Sequence, residues 1–222
     1  MYYASQIVRM IDEVAARSDF NNLRQASGLD GAATRAAVNF VPSPAIGNAL
    51  FTNSVMGMQA ISHVIEDQAL KMTPNQPFTL YSAFQKFSRV RPQEARYRRI
   101  VNTGNRVCLF GVPDYPLWHA PNLELVALEE HALEPGTPEM SDLWFVVLNS
   151  PGFVSMALVA RELPSLTPRN KSTGALLYRD FEGFWTYDPK LIGQLVNILE
   201  EFKAANQGGR AKAMFNQANI VN

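Results

Sequence analysis

The sequence predicts an α/β protein: a single mixed β-sheet of about five to six strands flanked by helices, with an N-terminal helical extension. Segments with apolar residues at helical spacing stand before, between and after a set of short β-compatible runs. Two of those runs, "DLWFVVL" and "FVSMALVA", are joined by Asn149, Ser150, Pro151 and Gly152 and read as a hairpin. Pro presets the backbone angle at the second position of a type II turn, and Gly tolerates the positive angle at the third. Both runs are apolar at nearly every residue, so they belong at the centre of a sheet covered on both faces.

In chain order, Ala4 to Arg17 place Ile7, Met10, Ile11 and Val14 on one helical face, with Asp12, Glu13 and Arg17 elsewhere. Small and polar residues from Asn21 to Pro44, including Gly28 and Gly31, predict a connector. Within it, "LRQASGLDGAATRAA" has the glycine-centred turn of a helix-turn-helix. Arg24 and Ser27, however, fall where that motif packs small or apolar residues. Ser54 to Lys71 predicts the next helix, with Val55, Met58, Ile61, Val64, Ile65 and Leu70 along its inward side and an end before Pro74. "FTLYSAFQKF" reads as a strand running out into a basic segment. Pro92 and Glu94 suit the first turn of a helix whose inward stripe is Tyr97, Ile100 and Val101.

"RVCLFG" and "LELVAL" predict two strands separated by the proline-rich loop "VPDYPLWHAPN". After the hairpin, "FEGFWTY" predicts one more strand. Asp188 and Pro189 then read as the N-cap and first position of a helix that buries Leu191, Leu195, Ile198, Leu199 and Phe202. The tail from Asn206 to Asn222, with Gly208 and Gly209, has little to anchor it beyond Met214, Phe215 and Ile220.

Composition narrows the function classes. With 222 residues, 47% of them hydrophobic, the chain can bury a core without disulfides. Zero net charge and a pI near 6.8 argue against a general binder of nucleic acid or membrane surfaces. Cys108, the only cysteine, sits in an apolar run and reads as a buried thiol in a cytoplasmic protein. The N-terminus lacks the pattern of a signal peptide, and no segment approaches the ~20 apolar residues that span a bilayer. Phosphate-binding glycine loops and nucleophile elbows are absent, so no catalytic residue is assigned and the chain is read as a non-enzyme. His63 and Glu66 lie three apart on one helix, but nothing nearby in sequence completes a metal site. An enzyme assembled from Glu66, His119 and Glu182 rests on residue types alone.

Charge is segregated. Lys86, Arg89, Arg91, Arg96, Arg98 and Arg99 face a single acid, Glu94, while the stretch between Arg106 and Arg161 holds no Lys or Arg and seven acids from Asp114 to Asp142. The arginines therefore either pair with that acidic block on the surface or meet an anion or an acidic partner, since guanidinium forks recognise carboxylate and phosphate. A DNA-binding regulator using residues 21–40 and the block from Arg89 to Arg99 is the alternative reading.

"YSAFQKFSRVRPQEARYRRI", "VCLFGVPD", "LWFVVLNSPGFVSMALVARE" and "FEGFWTYDPKLI", in that order, resemble the DICT domain, a sensory module named for diguanylate cyclases and two-component systems. The similarity runs from about Pro42 to Phe202 and rests on Phe84, Gln85, Arg96, Tyr97, Phe110, Gly111, Pro113, Asp114, Trp144, Phe145, Phe181, Glu182, Gly183 and Asp188. It implies a noncatalytic input or interaction domain of bacterial signalling proteins, with no agreed ligand or cofactor. The organisation expected is an N-terminal helical extension over 1–41, a sensory α/β domain over 42–205 and a tail over 206–222. The implied partner is a signalling protein or a second copy of the chain, with a small anionic ligand as a further option. Gln85, Arg89, Arg91, Arg96 and Tyr97, where a strand empties into a helix, are the candidate binding constellation.

Overall fold

The computed structural model describes residues 2–18, 41–42, 48–129, 138–163 and 180–218; the side chains of Val41, Pro42 and Asp180 and those beyond Asn206 lie outside the description. The elements are α1 (Tyr2–Ala16), β1 (Val41–Pro42), β2 (Ala49–Thr52), α2 (Val55–Lys71), β3 (Thr79–Lys86), a 3-10 helix (Phe87–Gln93) and α3 (Glu94–Val101). They continue with β4 (Arg106–Val112), β5 (Leu123–Ala127), a 3-10 turn (Met140–Asp142), β6 (Leu143–Asn149), β7 (Met156–Leu163), β8 (Asp180–Thr186) and α4 (Pro189–Ala218).

One mixed sheet runs in the order β1-β2-β8-β7-β6-β3-β4-β5. Only the β3/β4 and β4/β5 pairs are parallel. The expected five to six strands become seven of four residues or more plus the two-residue β1. The strands not anticipated, β1 and β2, are short, and β2 finds its partner β8 more than a hundred residues away. The predicted hairpin is present. Gly152 has φ +83°, the Phe153 N–H donates to the Ser150 carbonyl at 3.0 Å, and β6 and β7 are interior strands.

Strand alternation sends side chains to two cores. Phe145, Val147, Ala157, Val159 and Phe184 face α1 and α4, joined by Ile7, Ile11, Val14, Leu195 and Leu199. Val146, Leu148, Leu158, Ala160 and Phe181 face the opposite way, onto Met58, Ile65 and Ala69 of α2 and Tyr97 and Ile100 of α3. The result is a three-layer sandwich in which α1 is a full contributor to one core. Cys108 is fully buried in that core, and burial pushes its thiol up to about 12, so it is a packing residue.

Asp188 caps α4 as its sequence predicts: its Oδ1 accepts from the Lys190 and Leu191 N–H groups at 2.8 and 3.2 Å. The helix continues to Ala218, through the glycine pair of the predicted tail. A polar network fastens it to the sheet. Tyr81 Oη donates to Glu200 at 2.7 Å, and the nearly buried Lys203 bridges Glu124 and Glu200 at 2.9 Å each.

Candidate functional site

Beneath α2 lies a cavity of about 470 Å³, bounded by β3, β6 and β8 and closed at one end by the 3-10 helix. Its position follows from α2. Ser54 caps that helix by accepting from the Gly57 N–H at 3.2 Å, and Val55, Gln59, Ser62, His63 and Glu66 then recur at helical spacing along the cavity. This rotates the helix from the orientation its apolar pattern predicts. Ser62 and Glu66 are buried whereas Val64 is 48% exposed, because Glu66 is drawn inward by a hydroxyl behind it.

That hydroxyl belongs to Tyr97. Glu66 Oε1 accepts from Tyr97 Oη at 2.8 Å, and Ser82 Oγ lies 2.9 Å from the same phenol oxygen. Since a phenol has one proton, Tyr97 donates to the carboxylate and accepts from Ser82. Behind them, Arg96 hydrogen-bonds Asp67 and holds its Nε 3.5 Å from Glu66 Oε2. Burial dominates the acid's environment. It raises Glu66 to about 7 against the opposing pull of Tyr97 and Arg96, with Asp67 adding to the rise. Burial and the Glu66 charge also hold the Tyr97 hydroxyl well above its ordinary value.

At the other end stands Gln85, the only non-glycine residue with positive φ (+59°) among those described. It sits where β3 breaks register against β4, between Ala83 and Lys86. A bulge there turns the side chain off the strand's alternation, at a backbone cost of roughly 1 kcal/mol. The amide is held on both sides: Nε2 donates to Glu162 Oε2 at 2.6 Å and Oε1 accepts from Arg89. Phe84, Trp144 and Phe181 form the apolar wall, with Trp144 and Phe181 edge to face at 5.6 Å. Three polar atoms of lining residues are buried without a hydrogen bond: Ser62 Oγ, Glu66 Oε2 and Gln93 Oε1.

The five candidate residues thus separate. Gln85 and Arg89 line the cavity. Tyr97 and Arg96 stand behind Glu66, and Arg91 is exposed on the 3-10 helix. The arginines do not converge, because the 3-10 helix and α3 distribute them around their axes. Among the described residues, two of the arginines find acids outside the acidic block: Arg96 meets Asp67 and Glu66, and Arg98 meets Glu94 and lies 4.7 Å over the Trp118 ring. From that block, Asp114 accepts from the Ser88 N–H and Oγ at 2.9 and 2.6 Å. Burial opposes the effect, but these bonds hold its carboxyl below the usual range.

Glu66, His119 and Glu182 do not form a site. Glu182 points to the opposite face of the sheet, where it accepts from Arg161, which also reaches Asp12 of α1, and His119 is exposed in a loop. Among the described residues no group of three or more His, Cys, Asp or Glu is placed to hold a metal. No helix among them is long and apolar enough to cross a membrane. Residues 21–40, the segment read for DNA contact, lie outside the description. Ser62 and Gln93 were not anticipated as site residues; the one available signal was two polar residues, Ser62 and Glu66, four apart within an apolar helical stripe.

Comparison with curated proteins finds no match. Among solved structures, the chain is similar to the polyphosphate kinase from Porphyromonas gingivalis (TM-score 0.43, 9% identity, over 73% of this chain and 27% of that one). It is also similar to TrmBL2, an archaeal chromatin protein (TM-score 0.38, 12% identity, over 89% of this chain and 64% of that one). The chain spans less than two thirds of either, and likeness of this degree carries no argument. The family model described as the sensory domain in diguanylate cyclases and two-component system, DICT, matches residues 48–163, which hold α2, the 3-10 helix and most of the cavity wall, and the chain belongs to that family of sensory domains.

Proposed function

We propose that this sensory domain works without catalysis, by taking a small molecule into the cavity under α2 and passing the resulting change to a protein partner. The observation that carries the reading is the coincidence of an aromatic-walled space of ligand size with three buried polar atoms that receive no hydrogen bond from the protein. Gln85 strengthens it, since backbone strain held in place by a side-chain network is a feature of ligand clamps and switches. Gln85, Arg89, Tyr97 and Arg96 are the proposed ligand-responsive set, the first two at the wall and the others behind Glu66.

The proposed route outward is α2 itself. Its inner stripe lines the cavity, while Met56 and Val64 on its outer side are 82% and 48% exposed, a surface suited to a signalling partner in the cytoplasm. Native mass spectrometry of the protein purified from its source cells tests the reading, with Val146→Phe as the filled-cavity control. A small molecule retained by the wild type and lost from the folded variant supports it. An equal pattern in both proteins refutes it.

A further inference from the structure

We propose that the cavity is selective for a flat aromatic cation, a ring bearing an amidine or protonated amine, with the nitrogen group on Glu66 and the ring against Trp144 and Phe181. The inference rests on the cavity being the signal-binding site, and the charges around it decide the sign. Gln85 donates to Glu162 and accepts from Arg89, so one acid and one base are joined through a single amide and their charges offset. The second cluster is unequal: Glu66 and Asp67 share one guanidinium, Arg96, and carry a net negative charge when both are ionised. Arg96 gives its hydrogen bond to Asp67, and its 3.5 Å approach to Glu66 Oε2 is too long for another. Among the described residues, the other charged or titratable side chains around Glu66 are His63, exposed on the same helix, Tyr97 from α3, whose phenol is held neutral by burial, and Arg89 from the 3-10 helix; the cavity-lining residues of β3, β6 and β8 carry no charge.

The hydrogen-bond inventory agrees. Gln93 Oε1 accepts only, Glu66 Oε2 does so once its carboxyl is ionised, and Ser62 Oγ can accept. A ligand bringing N–H donors completes them, whereas an anionic ligand adds acceptors to acceptors. Ring faces of Trp144 and Phe181 favour a cation for the same electrostatic reason. At a pH where Glu66, held up to about 7, keeps its proton, a pairing amidinium displaces that proton to solvent and leaves the carboxylate on the cation.

Benzamidine, benzamide and benzoate share one shape and differ in charge, and calorimetric titration of each into the full chain tests the proposal. Benzamidine is expected to bind about tenfold more tightly than either analogue. At about pH 6 its binding should release a proton, read from heats in buffers of different ionisation enthalpy. Glu66→Gln should lose both the preference and the proton release. Ser62→Ala, a milder change, should keep the proton release while weakening binding, and it carries the test if the first variant does not fold. Equal binding of the three probes, or preference for benzoate, with binding abolished by Val146→Phe, overturns the cationic ligand and leaves the cavity as the site. No binding that depends on Val146 overturns both.

Discussion

Glu66 is 1% exposed, and its carboxyl is raised from 4.5 to about 7 chiefly by burial. Between those values the folded chain holds a proton that the unfolded chain has lost, so stability falls as pH rises through the window and is level above it. The shift corresponds to a loss of about 3 kcal/mol, which urea unfolding at about pH 5 and about pH 8 should reveal. Glu66→Gln keeps the volume and an acceptor for Tyr97 but cannot titrate. Its stability should be flat over the same range and exceed the wild type at the alkaline end. Gly183 makes a steric demand instead. A Cβ there would lie 2.1 Å from the Val159 carbonyl oxygen and 2.6 Å from Ala160 Cα, both backbone atoms of the neighbouring strand. Gly183→Ala must push β8 from β7, and a loss of about 3 kcal/mol or more in chemical denaturation is expected. A glycine among aromatics in a strand marks either a strand end or a close backbone approach, and at Gly183 it is the approach. The burial of Glu66 left a fainter trace, since it depends on a tyrosine from another helix.

At the scale of elements, what was legible is what is local. The turn after β6 is written in adjacent residues, and so is the cap of α4, where Asp188 precedes Pro189 and binds two N–H groups. Asp188→Ala should therefore cost about 1 kcal/mol, measured as a lowered unfolding midpoint with unchanged slope. Elements defined by distant partners were less visible. β2 is four residues long and is a strand by virtue of β8 on one side and β1 on the other. The bulge at Gln85 arises where β3, held by β4 and β6, must release its parallel register before the 3-10 helix begins. The apolar pattern of α2 placed Val64 inward because hydrophobicity was the only cue, whereas the helix is oriented by a polar stripe facing a cavity that four elements create together. The candidate site was half visible for the same reason: Gln85 and Arg89 adjoin a strand end that can be read, and Ser62 and Gln93 acquire meaning only across the gap.

The whole molecule sets the size of the unit that can fold. The family match covers residues 48–163, yet within that span β2 has no partner strand: β8, from residues 180–186, lies between β2 and β7 in the sheet. The same span lacks α1 and α4, leaving Phe145, Val147, Val159 and Phe110 on an uncovered face. Ile7, Ile11, Val14, Leu195 and Leu199 alone provide five buried side chains to that face, worth about 1.5–3 kcal/mol each, and together they rival the 5–15 kcal/mol by which ordinary domains are stable. A fragment of residues 48–163 is therefore expected to lack cooperative unfolding and to bind a hydrophobic dye, while the full chain melts in one transition. Adding residues 164–218 restores β8 and α4 but still leaves the α1 groove open, so that longer fragment should fold with a reduced midpoint and regain stability when a peptide of residues 1–18 is supplied. Independent, full-stability folding of the 48–163 fragment, measured by calorimetry, would show that the outer helices decorate the sheet and do not complete it.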